Sequence, residues 1–503
     1  MTETVFKQEV KKEQNIIIYG AGMVGELVYK RLSQFEMQNK IITFAVSKKV
    51  GESSMFGLPI CEIKDCVSHV NDALVIVATL PILHKDMQVV LEKYGFQNIV
   101  FVDEELYESM ATSYIEDFKN THTISMKNID VLLMASDNNC ASGAFLCLVD
   151  LARELKELGI CALVILPMYG TGEKLLQENN LDYWFVESED WTVELDEDIV
   201  KKKRKLEKNE SAIKEIEMII KNYHVRVLHN NTTYTYVGAV AAHNCELPVI
   251  WHLREFLQAQ GREFYDERAK AFINKSDRVL LTSQYVGTCI DYVDKDLVSF
   301  IYDGVDTTNY FLEDKRLFVE DVLNIIIVGN VIPLKNQMEL LEAAALLKER
   351  TETNFHISII GSGEKKYINV LEDFIEENHL EKNVSFLGRQ SDVQKYYRRA
   401  DVVVVCSKAE AFGRTTIESQ LSGCVTIGAK AGATSELIHD METGLLYELG
   451  NSSELADKIL WCINNHEAAV KIAKQGQAFA SSQYTKRRNA EEIIKIYRQY
   501  WKI

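Results

Sequence analysis

No stretch of this chain is apolar for long enough to cross a bilayer. Runs such as ADVVVVC (400–406) fall far short of the roughly 20 residues that a membrane helix needs. The opening residues, MTETVFKQEVKKEQ, lack the apolar core of a secretory signal. Ten cysteines are scattered with no C-x-x-C pair and no metal-ligand spacing, and most, Cys147 and Cys406 among them, stand in apolar context. That pattern argues against a disulfide framework and for reduced, buried thiols in a cytoplasmic protein. Basic excess is missing as well. A formal net charge of −18 favours solubility and argues against nucleic acid or anionic lipid as general partners, while leaving room for a local cationic pocket.

What is present is three beginnings. NIIIYGAGMVGELVYKRL (15–32), VLLMASDNNCASGAFLCLVDLARELKELG (131–159) and LNIIIVGNVIPLKNQMELLEAAALLKER (323–350) each join an apolar run to a glycine-containing turn and an amphipathic helix. Such runs alternating with helices signal parallel sheets covered on both faces. The length of 503 residues suits about three domains. Strands are predicted at 15–19, 41–46, 74–78 and 99–102 in the first unit. In the second they fall near 131–135, 161–166, 183–186, 225–228, 248–252 and 279–282, and in the third near 324–329, 355–360, 384–386, 402–406 and 425–427. Segment 107–127 is polar and reads as a linker. KKKRKLEKNE (201–210) reads as the exposed face of a helix rather than a binding patch. The tail 489–503 reads as an amphipathic helix with Ile493, Ile496, Tyr497 and Trp501 on one side.

Adjacent doubly wound domains create a cleft at the carboxyl ends of their strands, where loops and helix N-termini converge. EAFGRTTIE (410–418) follows the strand DVVVVC and so belongs to that cleft. Gly413 opens a helix that ends at Gly423, and its first N–H groups make an anion site. Eight helical residues between Glu410 and Glu418 would span on the order of 12 Å, suited to a diphosphate flanked by a sugar and a nucleoside. Ionised carboxylates accept hydrogen bonds only, which suits sugar hydroxyls.

Taken with GCVTIGAKAGATSELIHDMETGLL after them, and with GNVIPLKNQ (329–337), FLGRQSDVQKYYRRADV (386–402) and IYDGVDTTNYF (301–311), these residues resemble the retaining glycosyltransferases of family 4 over about 128–480. The resemblance implies the α/β GT-B architecture of two facing Rossmann-like domains, with an acceptor-side lobe at 128–310 and a donor lobe at 311–485. A helix at 486–503 would pack back on the first lobe. It implies transfer of a sugar, with retention, from a nucleotide-diphosphate sugar to a hydroxyl of a glycan or lipid-linked glycan. The setting would be bacterial-type surface polysaccharide or glycoconjugate synthesis, with attachment to the inner face of the membrane or to a biosynthetic complex left open. In that frame Glu418 binds the ribose, Glu410 the donor sugar, and Lys335 the diphosphate. Phe412, Gly413, Arg414 and Thr415 meet phosphate and sugar, Gly388 and Arg389 the base, and Gly143 the phosphate or acceptor. The family's usual arginine is replaced by Asn330, which leaves Arg414 or Arg389 to supply charge. Where many relatives carry a histidine near the reacting carbon this chain has Arg254, so His252 or a donor-phosphate oxygen must take the acceptor's proton. No D-x-D pair is evident at the strand ends forming the cleft, and neither a metal nor a cofactor is expected.

The front of the chain, 1–120, carries Gly20, Gly22 and Gly25 in GAGMVG after NIIIY, a G-x-G-x-x-G in the right context for a Rossmann-like domain. An NAD(P)-dependent oxidoreductase is therefore the rival reading. The acid that should hold the ribose is missing, since IITFAVSKK offers Ser47, so NAD(P) is not favoured; an NADP site would have to use Lys48 or Lys49. GESSMFGLPICEIKDC (51–66) resembles the small domains in front of bacterial sugar acyltransferases and some polysaccharide-biosynthesis proteins, which implies ligand binding without redox chemistry. A non-catalytic glycosyltransferase-like subunit is the third reading, kept open by the absent arginine.

Overall fold

Side chains such as those of Ile16, Ile17 and Ile18 have no polar atoms to satisfy, so the runs that carry them are buried as strands between helices. The computed structural model describes residues 1–48, 53–194, 199–257, 262–265, 268–390 and 392–501. The chain divides into two compact units. One comprises Met1–Ser125, Asp137–Ala141 and Leu166–Glu187; the other comprises Met126–Ser136, Ser142–Ile165 and Ser188–Ile503.

The first unit holds β1 (Asn15–Tyr19), β2 (Ile41–Val46), β3 (Ser54–Met55), β4 (Leu58–Glu62), β5 (Ala73–Val77) and β6 (Ile99–Phe101). Their order is β3-β4-β2-β1-β5-β6, parallel except for the short β3–β4 hairpin. Segment 107–127 is not a linker. The helix Glu104–Thr121 starts on Asp103, whose side chain accepts from the Leu106 N–H at 2.8 Å. Leu106, Met110, Ile115 and Phe118 share one buried face of it, a helical spacing that the polar composition conceals. The stretch 166–187 joins this unit through the buried Glu173, which accepts from the hydroxyls of Tyr114 and Tyr183.

In the second unit, β7 (Val131–Met134), β8 (Ala162–Leu166), β11 (Val227–Asn230), β12 (Val249–Leu253), β14 (Arg278–Leu281) and β15 (Val298–Phe300) form one parallel sheet in the order β15-β14-β12-β11-β7-β8. β9 (Tyr183–Phe185) belongs to the first unit, and β10 (Thr192–Glu194) pairs antiparallel with β13 (Arg262–Phe264). KKKRKLEKNE falls in the helix Ile199–Asn222, as expected, although the side chains of 201–206 lie outside the described residues. A second parallel sheet contains β16 (Val322–Val328), β17 (Asn354–Ile360), β18 (Val384–Gly388), β19 (Val402–Val405), β20 (Val425–Ala429) and β21 (Leu445–Tyr447), ordered β18-β17-β16-β19-β20-β21. Its core runs from Leu323 and Ile325 through Val402, Val404 and Ile427 to the carboxyl-terminal helices.

The last helix, Lys486–Tyr500, returns to the first of these two sheets. The Tyr497 hydroxyl lies 2.7 Å from Nδ1 of His229 on β11, and Asn489 donates to the Tyr302 carbonyl at 2.8 Å. The two chain crossings between the lobes lie side by side. Val305 bridges to Thr485, and a Cβ on Gly304 would stand 2.4 Å from the Cα of Lys486. Lys486 pairs there with Asp150 at 2.9 Å and Asp306 at 2.5 Å.

Candidate active site

The strand order of the carboxyl-terminal lobe reverses between β16 and β19, so the loops leaving those strands flank a crevice. They are tied together where the Lys408 N–H donates to the Leu334 carbonyl at 2.9 Å. Lys335 comes from the first loop and Glu410 from the second, and Nζ stands 2.5 Å from Oε1. The backbone of Glu410 is held from behind. Its carbonyl accepts from the Ala433 N–H at 2.9 Å, and Gly432, at φ +57°, lies so close that a Cβ there would come within 2.4 Å of the Glu410 nitrogen. Gly432 and Ala433 belong to the run GAKAGATSE but had no assigned role; the demand for glycine at a positive φ was the signal.

Gly413, at φ +95°, turns the chain into the helix Arg414–Leu421, and Gly413, Arg414 and Thr415 line the crevice. Arg414 reaches the Cys147 sulfur at 3.3 Å, with Asp150 at 3.7 Å and Glu418 at 3.8 Å. Glu418 sits one turn along the same helix with its side chain only 12% exposed, accepting from the Tyr397 hydroxyl at 3.2 Å. Burial raises its pKa above the ordinary carboxylate value, against the lowering effects of Arg414 and the two tyrosines Tyr397 and Tyr310.

The other lobe answers from its own switch point, between β7 and β11. Ser142 caps the helix Gly143–Glu157, and Gly143, at its first position, borders open space: a Cβ there would meet nothing within 4 Å. Arg254, just past β12, is buried and forms an ion pair with Asp303. Its Nε donates to Asn231 at 3.0 Å and a terminal N–H to Nδ1 of His252 at 3.2 Å. An arginine only donates, so His252 carries its proton on Nε2 and its one lone pair is taken. Burial, then the charge of Arg254, depresses the His252 pKa well below the usual histidine value. The expectation of His252 as a base therefore fails: the ring is fully buried, and it does not reach the cavity. Alternation along a strand brought Arg254 and His252 to the same side, but β12 ends at Leu253, and of the two only the buried Arg254 lines the cavity.

Gly143, Arg254, Lys335, Glu410, Phe412, Gly413, Arg414 and Thr415 converge on one cavity of about 270 Å³. Cys147, Glu255, Thr282 and Asp303 line it too. The lobes touch beside it, where the Ser283 hydroxyl donates to the Ala411 carbonyl at 2.5 Å. Not every expected residue lines this space. Glu418 lies behind Arg414. Asn330 is exposed, with its carbonyl engaged by Gln337 at 2.9 Å. Gly388, at φ +63°, and Arg389 are exposed at the end of β18, beyond β17 on the same sheet edge. Three cations line the cavity, Lys335 and Arg414 from the carboxyl-terminal lobe and Arg254 from the other. Among the described residues no group of three or more His, Cys, Asp or Glu side chains could hold a metal ion, and no helix is long and apolar enough to cross a membrane.

The sheets and loops just described match a known family model, Glycosyl transferases group 1, over residues 311–479. Those residues are thus similar to the group 1 glycosyltransferase domain. An uncharacterized glycosyltransferase of Methanocaldococcus jannaschii is 26% identical over 291 residues, covering 56% of this chain and 77% of that protein. N-acetyl-alpha-D-glucosaminyl L-malate synthase of Bacillus anthracis is 24% identical over 206 residues, or 40% of this chain. This chain spans only 52% of that synthase, about half its length. Around the group 1 domain the fold extends to both lobes. HepE of Anabaena, crystallised with UDP and glucose, superposes with a TM-score of 0.62 at 23% identity, covering 74% of this chain and all of its own. A glycosyltransferase from Rickettsia africae gives 0.61 at 21%, covering 75% and 99%. At these identities the likeness establishes the architecture, which is GT-B.

Proposed function

We propose that the protein is a retaining glycosyltransferase that moves a sugar from a nucleotide-diphosphate sugar to a hydroxyl of a glycan or lipid-linked glycan. The observation that carries this reading is the convergence of Lys335, Glu410 and the start of the helix Arg414–Leu421 with Arg254 and Gly143 on one cavity. Negative charge grows on the diphosphate as the glycosidic bond breaks, and Lys335 and Arg254 meet it without calling on a metal or a redox cofactor. Glu410 is left to accept hydrogen bonds from the donor sugar, and Glu418 to hold the ribose.

Because Arg254 stays protonated and His252 is enclosed, neither takes the acceptor's proton. The acceptor oxygen bonds to the anomeric carbon as that carbon's bond to the diphosphate oxygen breaks, and the acceptor's proton passes to a diphosphate oxygen on the same face. Attack from the face of departure gives retention. The relatives act in sugar transfer by name, which supports the class; donor base and sugar rest on loop geometry at 329–336 and 388–390.

A panel of nucleotide sugars tests this. The matched donor at 100 times its dissociation constant should stabilise the fold by about 2.7 kcal/mol, and the transferred sugar should keep its anomeric configuration by NMR. An inverted product would remove retention from the reading. Failure of every nucleotide sugar to stabilise the protein or to be turned over would end it.

A further inference from the structure

A second cavity is larger than the one between the lobes. It measures about 880 Å³ and lies in the first unit, where the strand order reverses between β1 and β5. Its walls include Met23, Val46, Ile60, Leu83, Met87 and Val90. Nothing in the group 1 domain accounts for it. We infer that this cavity is a second ligand site, for an organic phosphate whose body is apolar or aromatic.

Three observations carry this. The volume lies in the upper range of small-molecule pockets, which run from about 300 to 1,000 Å³, and far exceeds what an inorganic ion needs. The second concerns the glycines. Gly20, at φ +135°, would drive a Cβ to 2.2 Å from the Ala78 carbonyl oxygen, and a Cβ on Gly25 would lie 2.0 Å from that of Gly20, so both are demanded by packing. Gly22 has no such reason. Its φ is −106°, a Cβ would meet nothing within 4 Å, and it lines the cavity at the start of the helix Met23–Gln34, which has no side-chain cap. The space before that helix is clear, and its N–H groups suit a phosphate. The third is the end of β2. Ser47 lines the cavity but lies 2.6 Å from the Tyr19 hydroxyl, and among the described residues no carboxylate stands at this strand end to clamp a ribose diol. Lys49 and Glu52 lie outside the described residues. Among the described residues the contacts left for the body of the ligand are apolar, with Asp86 lining the cavity as an acceptor for an N–H or O–H edge. Leu80 and Leu83, 58% and 45% exposed, extend the apolar wall outward.

The site does not depend on the reading of the other cavity, and its test keeps the two apart. The full chain carrying Lys335→Ala and Glu418→Ala is titrated by calorimetry with UDP, ADP, NAD and farnesyl phosphate. One mononucleotide or the prenyl phosphate should bind with one-to-one stoichiometry; the winner tells whether the body is a base or a hydrocarbon. Adding Gly22→Val, which fills the cleared space, should weaken that binding at least tenfold with an unchanged melting temperature. Leu83→Glu, at an exposed position, should weaken it similarly and serves if the valine variant misfolds. Absence of saturable binding by all four compounds overturns the inference, as does binding indifferent to both substitutions. Selective binding of NAD would overturn it too, because a diol clamp would then have to exist.

Discussion

Two cavities open at the same topological position in two different sheets, and they are built from opposite materials. The one beside β1 is wide and walled by methionine, leucine, isoleucine and valine. The one beside β16 is less than a third as large and is crowded with Lys335, Glu410, Arg254, Asp303 and Arg414. Both follow from a reversal of strand order, which opens a crevice without specifying what fills it. Volume alone would have chosen the other cavity for the proposed sugar transfer. The charged one is small because its side chains already neutralise one another: Lys335 is held by Glu410, and Arg254 by Asp303. On the proposed function a donor would therefore have to replace an existing ion pair, whereas the ligand inferred for the first unit would enter space that is already clear.

Breaking the charged cavity should be costly, and the largest effect belongs to its most enclosed pair. Asp303→Ala leaves Arg254 buried without a counter-charge and should cost about 3–5 kcal/mol in chemical denaturation. A loss below about 1 kcal/mol would mean that the pair is solvated in solution. Lys335→Ala should slow transfer by on the order of 100-fold, about 3 kcal/mol at the transition state, while leaving ligand binding in the first unit as it was. Rates near those of the parent would remove Lys335 from the chemistry. Glu418→Gln should produce the smallest change and the most telling one. Folding raises the pKa of Glu418 through burial, so its preference for the folded state is full below the unfolded value of roughly 4.3 and is lost as pH rises through the folded value. The glutamine variant should thus melt no lower than the parent at pH 7, with any gain vanishing by pH 4, yet bind donor about tenfold more weakly. A lower melting temperature at neutral pH would show that the carboxylate serves the fold rather than a ligand.

Much of this was readable from residues. Continuous β-branched runs marked nearly every parallel strand, because a strand covered on both faces has no polar side to blur the signal. β15, β21 and the β3–β4 hairpin were not read from the sequence. The helix Glu104–Thr121 was mistaken for a linker since its apolar residues are outnumbered and only their spacing betrays a face. At the site, Lys335, Glu410 and Gly413 were found through their neighbours in sequence. Arg254's partner was not: Asp303 stands in IYDGVD, but nothing local announces that it will meet a residue 49 positions earlier. His252 failed for a related reason. Two residues on one side of a strand share a direction, yet which of them emerges depends on where the strand stops.

The last helix changes what opening the sugar-transfer cavity can mean. The polypeptide passes from lobe to lobe at Val305 and returns at Thr485, and these two covalent passages touch. The remaining contacts between the lobes, such as Ser283 with Ala411 and Arg414 with Asp150, are non-covalent. A covalent joint so narrow permits swinging about one axis but resists sliding. On the proposed function, admission of a sugar nucleotide and release of the spent diphosphate would be one gesture run in opposite senses.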